Sequence, residues 1–115
     1  MRKRNILLAP LLIALCGCQP EVPKEYAANA KEWMLASEKG CFQCHTTGHN
    51  RLGPAWESVS ERYKNNPDAE AHLVNKIKNG GNGAWINTKV MPAFSDDLLT
   101  DENRKALTRF ILSLK

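Results

Sequence analysis

The chain has 115 residues, enough for one small domain and too few for two. It carries 16 Lys and Arg against 12 Asp and Glu, a net charge of +4. Three of the basic residues, Arg2, Lys3 and Arg4, open an N-terminal targeting pattern, and without them 13 face 12, a near-neutral balance, so the basic charge of the whole chain is no evidence for nucleic-acid binding.

Behind that basic start runs an apolar stretch from Ile6 to Leu15, interrupted by Pro10. A bilayer span needs about 20 apolar residues, so this stretch is too short to cross a membrane. It has the proportions of a secretory signal. Its end, Leu15-Cys16-Gly17-Cys18, resembles a bacterial lipobox, where a small residue precedes a cysteine that is acylated. Cys18 fits, with Gly17 before it; Cys16 fits poorly behind bulky Leu15. The expected organisation is a lipoprotein signal peptide over 1–17, an acylated N-terminus and tether over 18–26, and a folded domain over 27–115. Export to the periplasmic side and lipid anchoring to a bacterial membrane follow. The competing reading is ordinary signal-peptidase cleavage, with Cys18 incidental.

Gln19 to Glu25 holds two prolines and charged residues and reads as tether. Ala27 to Lys39 is rich in helix formers, with Ala30, Trp33, Met34 and Ala36 near helical spacing and Gly40 as a stop. Cys41-Phe42-Gln43-Cys44-His45 comes next. Two thiols spaced by two residues, followed at once by an imidazole, match the attachment signature of a c-type haem. The thiols add to the haem vinyl groups, and His45 turns a ring nitrogen onto the iron. One covalent haem c is therefore expected. The cysteine count then leaves no disulfide: Cys16 departs with the signal, Cys18 takes lipid, and Cys41 and Cys44 take haem.

His45 to Pro54, with Gly48 and Gly53, reads as a loop. Trp56 to Tyr63 is expected as a short helix. Asn66-Pro67 opens a helix over Asp68–Lys78, with Leu73, Val74 and Ile77 inward and Gly80 ending it. Gly80, Gly81 and Gly83 loosen the chain before Trp85. Met91 follows in Val90-Met91-Pro92-Ala93-Phe94, off any helix stripe. An iron held by His45 needs a sixth ligand if it is to carry electrons without binding gases. A soft thioether favours Fe(II) and raises the reduction potential, which makes Met91 the expected partner of His45. A lone Met is more often a core gap-filler, and Met34 competes, but Met34 sits on the first helix and is explained by packing. In the last helix Thr100 is the expected N-cap and Asp101 and Glu102 occupy the first turn. Ala106, Leu107, Phe110, Ile111 and Leu114 form its apolar stripe. No strand pattern appears. The expected fold is all-α, three to four helices packed around one haem. So small a core needs a staple, so the chain without haem is expected to be largely unfolded or molten.

Taken together, these motifs resemble the small bacterial monohaem class I cytochromes c of the c551/c552 kind. The matching pieces are Lys39 to His45, Leu52-Gly53-Pro54-Ala55, Lys76 to Trp85, Val90 to Phe94 and the closing helix Leu99 to Leu114. The resemblance implies that the Pro54 carbonyl accepts the outer ring N–H of His45, and that the Trp85 indole reaches a haem propionate. It assigns Lys76 and Lys78 either to propionate neutralisation or to solvated helix charge. It crosses the first and last helices near Gly40 and Phe110. Two departures stand out: the stretch between Met91 and Thr100 is longer, and small Ala36 stands where an aromatic is common, shifting the helix contact toward Trp33 and Phe110.

The resulting expectation is an electron carrier and not an enzyme, a monomer that binds no nucleic acid. It would exchange electrons with redox proteins such as a cytochrome reductase complex, a terminal oxidase, a peroxidase or a nitrite reductase. One alternative is a gas- or peroxide-reactive haem protein with a labile Met91, with His49 and His72 as the spare histidines. Another is a zinc or dithiol module using Cys41, Cys44, His45 and His49.

Overall fold

The computed structural model describes residues 17–115; the signal-like stretch up to Cys16 lies outside the described residues. A 3₁₀ helix over Lys24–Asn29 leads into α1, Ala30–Glu38. A 3₁₀ turn over Cys41–Gln43 follows, then α2, Trp56–Tyr63, α3, Ala69–Asn79, and α4, Asp101–Ser113. There is no strand among the described residues; Gly81 and Met91 form an isolated antiparallel bridge.

The last helix is the hub, packing against α1, α2 and α3. Its period explains why: Leu107, Phe110 and Ile111 are buried on one stripe and meet Ala36 of α1, Trp56 and Val59 of α2 and Leu73 of α3. Thr100 Oγ1 accepts the Asn103 amide, so the expected N-cap forms. Polar ties lock the same contacts. Ser60 Oγ donates to the Leu112 carbonyl (2.9 Å), and Arg109 grips the Glu70 carboxylate through two bonds of 2.9 and 3.1 Å.

Three details differ from the sequence expectation. Tyr26, the last residue of the expected tether, stacks on Trp33 at 4.9 Å and meets Phe110 edge-on, because the chain already coils at Lys24. Gly40 does not serve a close approach to Phe110: the three atoms nearest to a Cβ there all belong to the Gln43 side chain, at 3.4 Å or more. Its φ of +76° instead closes α1 in the left-handed region that favours glycine. The small residue at the α1–α4 contact is Ala36, fully buried beside Phe110. Finally, Arg104 and Thr108 are also fully buried on α4, where the apolar stripe alone was foreseen.

Candidate functional site

The helices leave an almost wholly apolar cleft, about 1230 Å³ counting its open mouth. Cys41, Cys44, His45, Pro54, Trp85 and Met91 all line it, so residues up to fifty positions apart in sequence converge on one space.

One wall grows from the cysteine motif. After Gly40 the chain winds into a tight turn in which the Cys44 and His45 amides both donate to the Cys41 carbonyl (3.2 and 2.9 Å). Cys41 and Cys44 are free thiols. Burial pushes the Cys41 thiol up to about 11, with the neighbouring Cys44 adding to the rise and a backbone hydrogen bond opposing it. The following loop folds back onto the motif. The Gly53 amide donates to the Cys44 carbonyl (2.8 Å), and the Trp56 amide to the Thr46 carbonyl (2.9 Å). Asn50 Oδ1 accepts the Ala55 amide at 2.8 Å.

That fold-back sets the imidazole. The His45 Nδ1–H donates to the Pro54 carbonyl at 2.8 Å. Because a carbonyl can only accept, Nδ1 carries the proton and Nε2 keeps a free lone pair. Burial lowers the pKa of His45 from its ordinary value, with the Pro54 bond pulling the other way. Gly53 lies flat against the ring: a Cβ there would sit 2.6 Å from His45 Cε1 and 2.9 Å from Nδ1.

The opposite lip is built around Met91. Its amide donates to the Gly81 carbonyl and its carbonyl accepts the Gly81 amide, both at 2.9 Å. Gly80 permits this, with φ +65° and no room for a Cβ against the Met91 and Pro92 backbone. The Phe94 amide donates to the Ile77 carbonyl (2.9 Å). The Lys89 amide donates to the Leu52 carbonyl (2.8 Å), tying the Met91 side of the cleft to the His45 loop. Met34 is not among the cleft residues.

Trp85 is half-buried under the Arg62 guanidinium, 4.6 Å from the ring centre, and Arg62 Nη1 donates to the Ala84 carbonyl at 2.6 Å. Sequence reasoning missed Arg62, since an Arg at the end of a short helix carries no signal of what lies above it. Lys76 lines the cleft and reaches the Gly80 carbonyl at 3.4 Å. Lys78 does not line it: it pairs with Asp96 at 3.0 Å, so of the two lysines only Lys76 stays at the site. His72 sits at the cleft edge, its Nε2 3.2 Å from the Tyr63 hydroxyl, while His49 lies exposed on its loop. Among the described residues no cluster of three His, Cys, Asp or Glu could hold a metal ion, which leaves the zinc alternative without a site.

Residues 28–111 match the family model described as cytochrome C oxidase, cbb3-type, subunit III. The chain belongs to the cytochrome c family, as a small monohaem member of class I. It is 38% identical over 82 residues to cytochrome c-552 of Hydrogenobacter thermophilus, covering 71% of this chain and 80% of that one. The crystal structure of Nitrosomonas europaea cytochrome c552 superposes with a TM-score of 0.64 at 34% identity, covering 70% of this chain and 96% of the other. The class 1 cytochrome MtoD of Sideroxydans lithotrophicus also gives 0.64, at 28% identity, covering 73% and 92%.

A cytochrome c of this kind carries one haem c, attached through the Cys pair, here Cys41 and Cys44. The cleft fits that group. Its walls are mostly apolar as a porphyrin face requires, two free thiols line it, and its polar lining side chains include Lys76, Lys89, Asn82 and Trp85. No helix among the described residues is long and apolar enough to cross a membrane.

Proposed function

We propose that this electron-carrying cytochrome c holds its haem iron between His45 and Met91, and that the chain works as a lipid-anchored carrier on the periplasmic side of a bacterial membrane. The observation that carries the ligand reading is the convergence of Cys41, Cys44, His45 and Met91 on one apolar cleft, with His45 Nδ1 already committed to Pro54. Bound there, haem c supplies a one-electron couple.

The residues divide the remaining work. The Pro54 carbonyl fixes the tautomer and plane of His45 and makes Nε2 a stronger donor. Met91 offers a soft sulfur that favours the reduced state. The buried wall of Trp56, Val59, Leu73, Leu107 and Ile111 excludes water, which also favours the lower-charge state. Trp85 and Lys76, which line the cleft, would meet the acidic edge of the group. Cys18 is exposed after Gly17, as acylation requires. Redox proteins such as a reductase complex, a terminal oxidase, a peroxidase or a nitrite reductase are the partner classes, met as a monomer.

Three measurements on the purified holoprotein test this. Mass spectrometry of the mature chain is expected to give one haem and an acylated Cys18 N-terminus; an unmodified Cys18 overturns the anchor. The oxidised protein is expected to be low-spin with a methionine–iron charge-transfer band, and the reduced protein to bind carbon monoxide slowly. A high-spin ferric spectrum at neutral pH, or rapid carbon monoxide binding, overturns Met91 as ligand.

A further inference from the structure

Arg104 has no role in the cleft, which it does not line, yet it is fully buried. A buried cation is retained only when its surroundings pair it. All its hydrogen-bond partners come from one stretch of chain. Nη1 donates to the Phe94 carbonyl at 2.9 Å and to the Leu99 carbonyl, and Nη2 pairs with the Asp96 carboxylate. Lys78 of α3 holds the same carboxylate at 3.0 Å. The stretch they gather is the link from Met91 to α4, which contains no helix or strand of its own.

Irregular backbone has few internal partners and opens easily. Here the link is fixed from both directions. Upstream, Met91 exchanges two bonds with Gly81, and Phe94 donates to Ile77. Downstream, Arg104 draws the carbonyls of Phe94 and Leu99 onto α4. Only Pro92 and Ala93 lie between the two anchors, and proline is already stiff.

We infer that Arg104 is a positioning residue for Met91: it clamps the 94–99 segment to α4, and so keeps the Met91 lip of the cleft closed. It does not line the cleft itself and acts through the backbone of Phe94 and Leu99, two residues that do. The inference rests on the reading of Met91 as the iron's sulfur ligand, and it extends that reading to what holds the sulfur in place. Arg104→Met removes the cation without stranding a buried charge, because the Asp96 side chain is 68% exposed, so helix content read alongside separates positioning from mere stability.

The test compares the parent holoprotein with Arg104→Met, Arg104→Lys and Asp96→Asn. In Arg104→Met the reduced form is expected to bind carbon monoxide about tenfold faster, as the open-lip population rises. Its methionine–iron band is expected to weaken while helix content stays that of the parent. Arg104→Lys restores part of the band, because a cation can still reach one carbonyl. Asp96→Asn, which keeps both carbonyl bonds, gives a smaller change of the same sign and serves if Arg104→Met does not fold. Amide hydrogen exchange of residues 91–99 is read in parallel and does not depend on what ligates iron. Exchange about tenfold faster in Arg104→Met supports the clamp. Unchanged exchange and unchanged carbon monoxide binding in folded Arg104→Met, or in Asp96→Asn where only that variant folds, overturn it. If the parent lacks the methionine band, the ligand reading fails by itself, and the exchange data alone then decide whether Arg104 holds the segment.

Discussion

At the scale of single residues, the proximal side of the cleft depends on one missing side chain and one backbone carbonyl. Gly53 gives the imidazole its resting surface, and Pro54 gives it its acceptor. Gly53→Ala is therefore expected to push the ring off Pro54 and destabilise the holoprotein by about 1–3 kcal/mol, the range of overpacked sites. Pro54→Ala keeps the carbonyl and loses only backbone stiffness, so its cost is expected to be under about 1 kcal/mol. Thermal unfolding of the two holoproteins checks the contrast; equal losses would mean that the Pro54 ring, and not its carbonyl, matters. This part of the site was legible in the sequence because its chemistry is local: a cysteine pair, a histidine and a Gly-Pro lie within fourteen residues. Arg104 was not legible. Its partners are mostly main-chain oxygens, which every residue carries, and nothing in a sequence says which carbonyls a helix will meet. Arg62 escaped for the same reason, since its position over Trp85 exists only after α2 and the glycine loop come together.

At the scale of elements, α4 and the link before it form one electrostatic unit. Arg104 first, then Lys78, hold the Asp96 carboxyl below its ordinary pKa. A carboxyl lowered on folding stabilises the native state above its unfolded pKa, and the contribution is lost as pH falls through the lowered value. Stability of the parent is thus expected to drop below about pH 4, near the unperturbed Asp range, more steeply than that of Asp96→Asn, which has no proton to take up there. Thermal midpoints of both proteins between neutral and acid pH check this; parallel curves would remove Asp96 from the acid response. The helices themselves were largely visible beforehand. Trp56–Tyr63 forms as read, α3 begins and ends one residue later than expected, and α4 is capped by Thr100. Boundaries shifted where capping was weak: Asn66 bonds the Asp68 amide, and α3 starts only after it. The 3₁₀ coil at Lys24 was missed because two prolines and scattered charge conceal that Tyr26 has a ring to stack on.

At the scale of the whole molecule, much of what should be core is wall around a cleft. Trp56, Val59, Leu73, Leu107 and Ile111 belong both to the core and to the lining. In a domain this small, opening those side chains to water removes a large part of the hydrophobic driving force. A Cys41→Ala/Cys44→Ala protein is therefore expected to show no cooperative melting by circular dichroism, whereas the holoprotein melts sharply. A sigmoidal transition in the double variant would show that the helices sustain one another unaided.

The aromatic side chains make a nearly continuous row. Trp33 lies 4.5 Å from Phe42, Phe42 5.1 Å from Trp56, and Trp56 6.0 Å from His45, while Trp85 stands at the cleft on its own. All three indoles therefore sit within or next to the pigment's berth, well inside the distance over which a porphyrin drains excited-state energy. The native protein should glow faintly under ultraviolet light and brighten as the rings part from the pigment, giving maturation and unfolding a built-in optical gauge that needs no added dye.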